Sequence, residues 1–399
     1  MTHDPSLPVL RLKPKADAKA IRFGSPWVRS DELVLDRRAK TIAPGTLCEL
    51  QDAERTPLAL IAASPAAKIA GRVLSLDVST QIDQAWFEDR IRAALSLRER
   101  AFDTPFYRLV HAEGDNLPGL IIDRFDETLV MQPNAAWLES HLEMLTAALI
   151  AVTGATNIVK NASSRARALD ALDDVTEVLA GAPAQRVLVP MNGATYVADL
   201  AEGQKTGLFY DQRPNHALAA RFAKDASVLD MFSHVGGFAL AALAHGARDA
   251  LAVDGSAPAL ALAEEGAAAM DMGDKLTTLK ADAFAALDDL ASQGRTFELV
   301  ICDPPAFAPN KMALGAGLRA YERVARAAAQ LVAPGGILML CSCSHAATVE
   351  KFRGSCLRGI GRGGRAGALI YTGYAGPDHP VHPNLSDTGY LKALAFRLT

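Results

Sequence analysis

The sequence has few cysteines and no long apolar run. Its five cysteines are an odd number, and no two are spaced as a Cys-x-x-Cys pair, which argues against a disulfide framework and against a zinc site. No run of about eighteen apolar residues occurs, and the N-terminus lacks the apolar core of a signal peptide. We therefore expect a soluble cytoplasmic protein with reduced thiols, no bound metal and no membrane partner.

The chain also lacks an overall excess of positive charge. Lys and Arg total 41 against 45 Asp and Glu, which gives a formal net charge of -4. Any nucleic-acid partner must therefore be bound by a local basic patch. With 399 residues, of which 50% are hydrophobic and 22% charged, the chain is predicted to be globular and to contain two or three domains.

Residues 1–78 contain short apolar runs separated by Pro and Gly, which predict a small β-barrel domain. The runs are Val9–Leu12, Leu33–Leu35, Thr46–Leu50 and Leu58–Ile61. Five cations surround the aromatic residues Phe23 and Trp27 in the sequence: Lys13, Lys15, Lys19, Arg22 and Arg29. This basic cluster is either a solvated rim or a face that contacts phosphates.

Residues 79–185 are predicted to form a small α+β domain without catalytic residues. A helical pattern begins at Gln81, and a second is expected over 135–152. Strands are predicted at 107–110, 120–125, 129–131 and 157–160. Residues 186–200 read as a β-hairpin that introduces a third domain, 186–399.

The most informative stretch of the third domain is Val228–Phe238, which predicts a strand, a tight loop and a helix at the start of a βαβ unit. Asp230 lies in the strand, and the adjacent glycines Gly236 and Gly237 would let backbone approach a ligand. The G-x-G-x-x-G pattern is absent, so a pyrophosphate site is poorly supported and a nicotinamide oxidoreductase is disfavoured.

Three further acids follow the predicted strands of this domain. Asp254 ends the next strand, where an acid can accept hydrogen bonds from ribose hydroxyls, and Asp282 and Asp303 follow the two strands after it. The carboxyl ends of parallel strands open into one crevice, so these side chains are expected to meet there. Residues 201–213 have no regular periodicity, which suits an ordered loop near a ligand or a surface connection.

Asp230 with its Gly-Gly turn, Asp254, Asp282 and the segment Asp303-Pro304-Pro305-x-Phe307 resemble motifs I to IV of class I S-adenosylmethionine-dependent methyltransferases. Nearly the whole chain resembles the bacterial 23S rRNA cytosine-C5 methyltransferase family. The stretches that carry this resemblance are Ser25–Val28, Leu117–Gly119, Ile122–Phe125, Gln204–Gly207, Tyr210–Arg213, Ser342–Ser344 and Asp378–Pro380.

The resemblance implies an α/β chain with a PUA-like domain, an α+β domain and a Rossmann-like methyltransferase domain, in that order. It implies S-adenosylmethionine as cofactor and 23S ribosomal RNA as partner, with the chain acting as a monomer or a homodimer. The implied cofactor-binding residues are Asp230, Phe232, Gly236, Gly237, Asp254, Asp282, Tyr210 and Gln212. The implied catalytic residues are Cys343 and Asp303, and the implied substrate-binding residues are Pro304, Phe307, Lys205 and Arg213.

Carbon 5 of cytosine becomes nucleophilic when a thiolate adds at carbon 6, which explains why such an enzyme needs a cysteine. Cys343 lies nearest the carboxyl end of a predicted strand, and the resemblance places the nucleophile there. Cys341 is expected on the same face of that strand as a packed small side chain. Cys302, immediately before Asp303, is expected to have no catalytic role.

Two other functions remain open at this point. Related ribosomal enzymes methylate guanine or an exocyclic amine without a covalent cysteine, and an RNA-binding protein could retain the fold without turnover. The arginines at 353, 358, 362 and 365 lie among several glycines, which suggests a flexible basic segment able to follow phosphates, whereas the resemblance implies a helical segment after this strand.

Overall fold

The computed structural model of the chain describes residues 7–163, 167–170, 172–200, 207–385 and 389–399. These residues form two compact units. The first contains the described residues up to 184 together with the segment 377–385, and the second contains the remaining described residues of 185–376 and 389–399. No helix in the described residues is long and apolar enough to cross a lipid bilayer.

The first sheet of the first unit has five strands in the order β1-β3-β4-β5-β2. Their bounds are β1 Val9–Arg11, β2 Trp27–Arg29, β3 Thr46–Gln51, β4 Pro57–Ala63 and β5 Ile69–Ser75, with helix α1 at Ala18–Arg22. The run Leu33–Leu35, predicted as a strand, makes only an isolated bridge between Leu33 and Leu12. A 3-10 turn at Ser30–Glu32 precedes this run, so it is too short to pair further.

The second sheet of the first unit also has five strands, in the order β10-β9-β8-β7-β6. The strands are β6 Phe106–His111, β7 Leu120–Phe125, β8 Thr128–Pro133, β9 Asn157–Lys160 and β10 Glu177–Ala180, and the helices are α2 Gln84–Ala101, α3 Ala136–Glu139 and α4 Leu142–Thr153. The sequence predicted one helix over 135–152. The structure breaks it at His141, whose ring Nδ1 lies 2.7 Å from the Trp137 carbonyl oxygen, the acceptor that the His141 amide would use in an unbroken helix.

The buried side chain of Arg98 and the backbone amide of Arg108 hold the segment 377–385 within the first unit. The Arg98 guanidinium, fully buried, donates to both carboxylate oxygens of Asp115 at 2.6 and 2.7 Å and to the Asp378 carbonyl at 2.8 Å. The backbone amide of Arg108 donates to the Asp378 carboxylate at 3.2 Å. A guanidinium removed from water is stable only when its donors are satisfied, so this segment completes the core of its unit.

The second unit begins with the hairpin β11 Arg186–Met191 and β12 Ala194–Asp199, as predicted. Its main sheet has seven strands in the order β15-β14-β13-β16-β17-β19-β18. Their bounds are β13 Ser227–Met231, β14 Asp249–Asp254, β15 Leu276–Lys280, β16 Phe297–Cys302, β17 Val332–Ser342, β18 Gly367–Gly373 and β19 Lys392–Leu398. The five strands β13 to β17 are parallel, and β19 runs antiparallel to both β17 and β18.

Helices cover both faces of this sheet, because the side chains of each strand alternate between two apolar cores. The helices are α5 Arg213–Ala220, α6 Gly237–Ala244, α7 Ala257–Ala269, α8 Ala283–Ser292, α9 Leu314–Gln330 and α10 Val349–Arg362. In β17, Leu338 and Leu340 face the core of α8 to α10, while Met339 and Cys341 face the core of α5 to α7. The strand order reverses between β13 and β16, where ligands bind in sheets of this kind.

The expectation of a flexible basic segment after β17 was wrong, because most of that segment forms α10. Phe352, Cys356 and Ile360 form a buried stripe on this helix. Gly359 packs so close to the Glu322 carbonyl of α9 that a side chain would not fit. Arg358 and Arg362 both form ion pairs with Glu322. Gly359 therefore allows α10 and α9 to pack closely. The side chains of Arg358 and Arg362 are paired with Glu322 within the protein.

Candidate active site

The candidate site lies at the carboxyl edge of the five parallel strands of the second unit. Because β13 to β17 run in the same direction, the loops that follow them leave the sheet at one edge. The predicted catalytic, cofactor-binding and substrate-binding residues of this unit lie at the ends of these strands or just after them. The exceptions are the predicted residues of 205–213. The expected convergence of strand ends is therefore confirmed.

The loop between β13 and α6 is tightly constrained by its own backbone. Phe232, His234 and Gly236 have positive φ angles of 61°, 50° and 76°. A side chain at Gly236 would come within 2.9 Å of Ala263, and one at Gly237 within 2.7 Å of the His216 ring. The glycines therefore accommodate neighbouring side chains of the protein itself, in addition to any ligand that approaches the loop.

Two buried polar atoms beside this loop have no partner within the part of the chain that the structure describes. These atoms are Oδ1 of Asp230 and Oγ of Ser233, whereas Oδ2 of Asp230 accepts from the Ala239 amide at 2.9 Å. Burial raises the pKa of Asp230 to about 7, and the nearby charge of Asp254 adds to this shift. A buried acceptor and a buried hydroxyl without partners fit a polar ligand that would complete their hydrogen bonds.

Two further carboxylates on this edge are oriented by backbone amides. Asp254 accepts from the amides of His234 and Ser256 at 2.9 and 2.8 Å, so it joins two loops. Asp282 caps α8 by accepting from the amides of Phe284 and Ala285, both at 3.0 Å, and it is exposed. A carboxylate oxygen can accept more than one hydrogen bond, so both groups can also take a donor from a ligand.

Asp303 follows β16 and is held by a chain of amide side chains. Gln212 Nε2 donates to Asp303 Oδ2 at 2.8 Å, and Asn215 Nδ2 donates to Gln212 Oε1 at 2.7 Å. Since the oxygen of the Gln212 amide is engaged by Asn215, its nitrogen is directed to Asp303. The structure thus places Gln212, predicted to bind cofactor, on the carboxylate predicted to be catalytic.

The other predicted residues of 201–213 lie in different surroundings. Tyr210 is fully buried, and the Arg213 guanidinium carbon lies 5.3 Å from the centre of its ring. The predicted loop ends earlier than expected, because Tyr210–Gln212 forms a 3-10 turn and Arg213 begins α5. Lys205 lies outside the described residues.

Phe307 lies within a cluster of aromatic rings. Its ring centre is 5.0 Å from that of Tyr321, 6.4 Å from that of Phe284 and 6.5 Å from that of Phe232. Phe307 is half-buried and Pro304 is buried. The contacts with the three neighbouring rings fix the orientation of the Phe307 ring at the carboxyl edge of the sheet.

Cys343 immediately follows the last residue of β17, and hydroxyl groups hold the chain on both sides of it. Ser342 Oγ donates to Tyr321 Oη at 2.9 Å, and Tyr321 Oη is 2.7 Å from Ser344 Oγ. Ser344 Oγ also accepts from the Ala308 amide at 2.9 Å. All three hydroxyl-bearing residues are buried, which makes this network a rigid support for the cysteine between them.

Cys343 differs from the other cysteines in its exposure. All five cysteines lie in the described residues and none forms a disulfide, but Cys48, Cys302, Cys341 and Cys356 are buried whereas Cys343 is partly exposed. Burial raises the pKa of the Cys302 and Cys341 thiols far above their usual range, and the negative charge of Asp303 adds to both shifts. These thiols stay protonated and unreactive, as expected for packed side chains. Within the described part of the chain, no group of three or more His, Cys, Asp or Glu is placed to hold a metal ion.

Sequence reasoning missed three residues of this site. Tyr321 and Asn215 reach it from helices and carry no local motif. Lys392 is a buried cation at the start of β19, and its Nζ donates to the Ser344 carbonyl at 2.7 Å. A single lysine within the apolar run Leu391–Phe396 was the one signal available for it.

Comparison with known families gives two matches. The profile described as S-adenosylmethionine-dependent methyltransferase matches residues 110–397, and that of the PUA-like domain matches residues 10–76. The chain is 34% identical to ribosomal RNA large subunit methyltransferase I of Alteromonas mediterranea over 393 residues, which are 97% of this chain and 98% of that protein. It is 33% identical to the ribosomal RNA large subunit methyltransferase of Deinococcus radiodurans over 406 residues, covering 98% of each.

Two solved structures share the fold over almost the whole chain. One is a methyltransferase crystallised with SAH, with a TM-score of 0.84, 20% identity and coverage of 98% of this chain and 100% of that one. The other is a SAM-dependent methyltransferase from Streptococcus mutans, with a TM-score of 0.82, 19% identity and the same coverage.

Proposed function

Because this chain belongs to the S-adenosylmethionine-dependent methyltransferase family and uses S-adenosylmethionine as its cofactor, we propose that it methylates carbon 5 of a cytosine in 23S ribosomal RNA. In this proposal Cys343 forms a transient covalent bond to the base. The observation that carries the proposal is that Cys343 is the partly exposed cysteine, at the carboxyl end of a parallel strand, while the other four are buried.

The RNA substrate is supported by the names of the relatives and by a surface of the first unit. Both relatives described above are named for the large-subunit ribosomal RNA. Phe23, the residue that follows α1, is 80% exposed, and the cations around it in the sequence are also exposed: Lys13, Lys15, Lys19 and Arg22. An exposed aromatic ring among cations suits an unpaired base and its phosphates.

The residues at the carboxyl edge of the sheet have separate roles in this proposed reaction, and one group of them binds the cofactor. The loop of Phe232 and Gly236, together with Asp230, Asp254 and Asp282, would hold the cofactor, which supplies an electrophilic methyl group when bound. Ser233, whose buried hydroxyl has no partner among the described residues, adds a polar group to the same loop.

The chemistry proposed for Cys343 follows from the electronic structure of cytosine. The thiolate adds to carbon 6, which breaks the 5,6 double bond and moves its electron pair to carbon 5. Carbon 5 would take the methyl group as the bond between that group and the sulfonium sulfur of the cofactor breaks, with the electron pair of that bond staying on the sulfur. The carbon–sulfur bond to Cys343 breaks after the proton on carbon 5 has left to solvent. The double bond is then restored and the thiolate is released. A base inside a duplex must leave its stack for this addition to occur.

Asp303 is proposed to hydrogen-bond the ring nitrogen or the exocyclic amine of the cytosine. Negative charge builds up at the ring nitrogen as the thiolate adds, and a proton donated by the protonated form of Asp303 would stabilise it, whereas the carboxylate form would accept from the exocyclic amine and orient the base. The contact from Gln212 fixes one carboxyl oxygen and therefore the orientation of the whole group. Phe307 and Pro304 provide apolar surface for the base beside this carboxylate.

The test is to replace Cys343 by Ala and to measure transfer of a labelled methyl group to 23S rRNA. We expect a loss of about 10³-fold or more, since the variant removes the nucleophile. Cys341→Ala is the matched control, because it removes a buried thiol from the same strand, and it should retain activity. Mass spectrometry of the digested RNA should identify 5-methylcytidine as the product.

A second measurement detects the covalent bond itself. RNA that carries 5-fluorocytidine at the target cannot lose a proton from carbon 5, so the wild-type protein should form a complex that survives denaturing electrophoresis. Cys343→Ala should form none. Transfer by Cys343→Ala at the wild-type rate would refute the covalent mechanism and favour methylation of guanine or of an exocyclic amine.

A further inference from the structure

Lys392 is the first residue of β19 and lies opposite Ser342 of β17 in the antiparallel register. It is 97% buried, and its Nζ donates to the carbonyl of Ser344 at 2.7 Å. Cys343 lies between these two serines in the chain. The ammonium group of Lys392 is therefore held against the turn that carries the proposed nucleophile.

A buried ammonium group normally has a carboxylate partner, because removing a charge from water is costly. Lys392 forms no ion pair with any Asp or Glu of the described residues. Burial lowers its pKa to about 8, and the one charge that acts in the opposite direction is that of Cys343. Cys343 is thus the neighbouring group whose negative charge, when its thiol is ionised, would favour the protonated form of Lys392.

We propose that Lys392 is a positioning residue that holds Cys343 as a thiolate. This inference rests on the proposed function, since it assigns the source of the nucleophile's charge. When the S–H bond of Cys343 breaks, the proton leaves to solvent and the electron pair stays on sulfur, in the turn against which the Lys392 ammonium group is held. The hydrogen bond from Lys392 to the Ser344 carbonyl fixes the ammonium group in this position.

Other titratable groups lie on the elements around the thiol. Tyr321 of α9 interacts with Cys343, but its hydroxyl is engaged by Ser342 and Ser344. Asp303 of the loop after β16 carries negative charge, which opposes formation of a thiolate. His345 follows Cys343 in the chain and its ring lies 5.3 Å from that of Tyr390. Lys392 is the buried ammonium group of this set, and its pKa of about 8 keeps it mostly protonated at neutral pH.

The experiment measures the rate at which iodoacetamide alkylates Cys343 in the full chain, as a function of pH. The background from the four buried thiols is measured with Cys343→Ser. We expect the wild-type rate to reach half its maximum below the pH typical of a cysteine in an unfolded peptide, and Lys392→Met to raise that midpoint by about one unit or more. At neutral pH the alkylation rate should fall about tenfold.

Two further variants separate the charge from its structural effect. Lys392→Arg retains the positive charge and should keep the midpoint close to that of the wild type. Arg397→Met removes an exposed cation from the same strand and should leave the midpoint unchanged. If Lys392→Met does not fold, the wild-type midpoint and Lys392→Arg still decide the question.

The inference is overturned if Lys392→Met alkylates with the wild-type midpoint, or if the wild-type midpoint equals that of an unfolded cysteine peptide. The proposed function fails by a different result, namely methyl transfer by Cys343→Ala at the wild-type rate. Alkylation requires no RNA and no cofactor, so the two failures are distinguishable.

Discussion

Gln212 and Asp303 are 91 residues apart in the sequence and joined by a hydrogen bond of 2.8 Å from Nε2 to Oδ2. Asn215 fixes the orientation of the Gln212 amide through a second bond of 2.7 Å. A carboxylate at the end of a strand would otherwise rotate freely about its side-chain bonds. The pair therefore sets the direction in which Asp303 faces the proposed base.

Replacing Gln212 by Ala is predicted to lower kcat by about 10- to 100-fold, because Asp303 loses the donor that orients it. Cofactor affinity, measured by isothermal titration with S-adenosylmethionine, should change little. Gln293→Ala is the matched control, since Gln293 makes the same kind of bond to Asp289 at 2.8 Å on an exposed helix end. A large loss of cofactor affinity with kcat retained would instead assign Gln212 to the cofactor.

Asp254→Ala is predicted to weaken binding of S-adenosylmethionine by about tenfold or more, since a carboxylate that accepts ligand hydroxyl groups is removed. Asp249→Ala is the control, because Asp249 begins the same strand at the opposite edge of the sheet. Isothermal titration measures both. Equal affinities for the two variants would place the cofactor away from Asp254.

The raised pKa of Asp230 predicts that the stability of the folded protein depends on pH. Its pKa in the folded protein is raised to about 7, so the folded state binds a proton that the unfolded state has already lost above pH 4. Stability without cofactor should therefore decrease as pH rises from about 4 to 7. Asp230→Asn removes this effect, and it should be more stable than the wild type by a few kcal/mol at pH 8.

Thermal unfolding of the cofactor-free proteins at several pH values tests the Asp230 prediction. The difference in stability between Asp230→Asn and the wild type should be smaller at pH 5 than at pH 8. A difference that is the same at both values would show that Asp230 is ionised in the folded state throughout.

Phe23→Ala is predicted to weaken binding of a ribosomal RNA fragment about tenfold, because stacking of one base on an aromatic ring contributes roughly 1–3 kcal/mol. Fluorescence anisotropy with labelled RNA measures the dissociation constant. Phe222→Ala, which removes another exposed phenylalanine, is the control. Equal affinities of the two variants would exclude a contact of Phe23 with RNA.

Tyr321→Phe is predicted to lower the free energy of unfolding by about 1–3 kcal/mol, since the hydroxyls of Ser342 and Ser344 lose a buried partner. Methyl transfer should also decrease, because these serines hold the turn at Cys343. Tyr371→Phe is the control, and its stability in urea should remain within about 0.5 kcal/mol of the wild type. A wild-type unfolding curve for Tyr321→Phe would contradict the role of this network.

The sequence predicted the parallel strands β13, β14, β16 and β17 well, because each contains an apolar run with a polar residue at or just after its end. The edge strand β15 has no such run, since it carries two threonines. Cys343 was singled out from its place near the end of a predicted strand and from the resemblance, and its catalytic role stays a prediction. The partners of the site were not predictable in this way. Tyr321 and Lys392 act through contacts with residues distant in sequence, and no periodicity reveals which hydroxyl or ammonium group will reach a given turn.

The glycines after β17 led to the clearest wrong prediction from the sequence. The glycines after β17 suggested a flexible segment, whereas Gly359 allows α10 to approach the backbone of α9 and Arg358 joins the two helices through Glu322. Gly237 likewise makes room for the ring of His216. A glycine is needed wherever two parts of a protein come close, and the sequence alone does not tell such a position from a mobile one.

The bond from Arg98 to the Asp378 carbonyl has a practical consequence for dividing the gene. A fragment that stops at residue 184 would lack 377–385, so the buried guanidinium would lose one of its acceptors and the Arg108 amide would lose the Asp378 carboxylate. The first unit is compact in three dimensions but is built from separate stretches of the sequence. Expression of that fragment by itself should give a less stable product than the same region within the intact polypeptide.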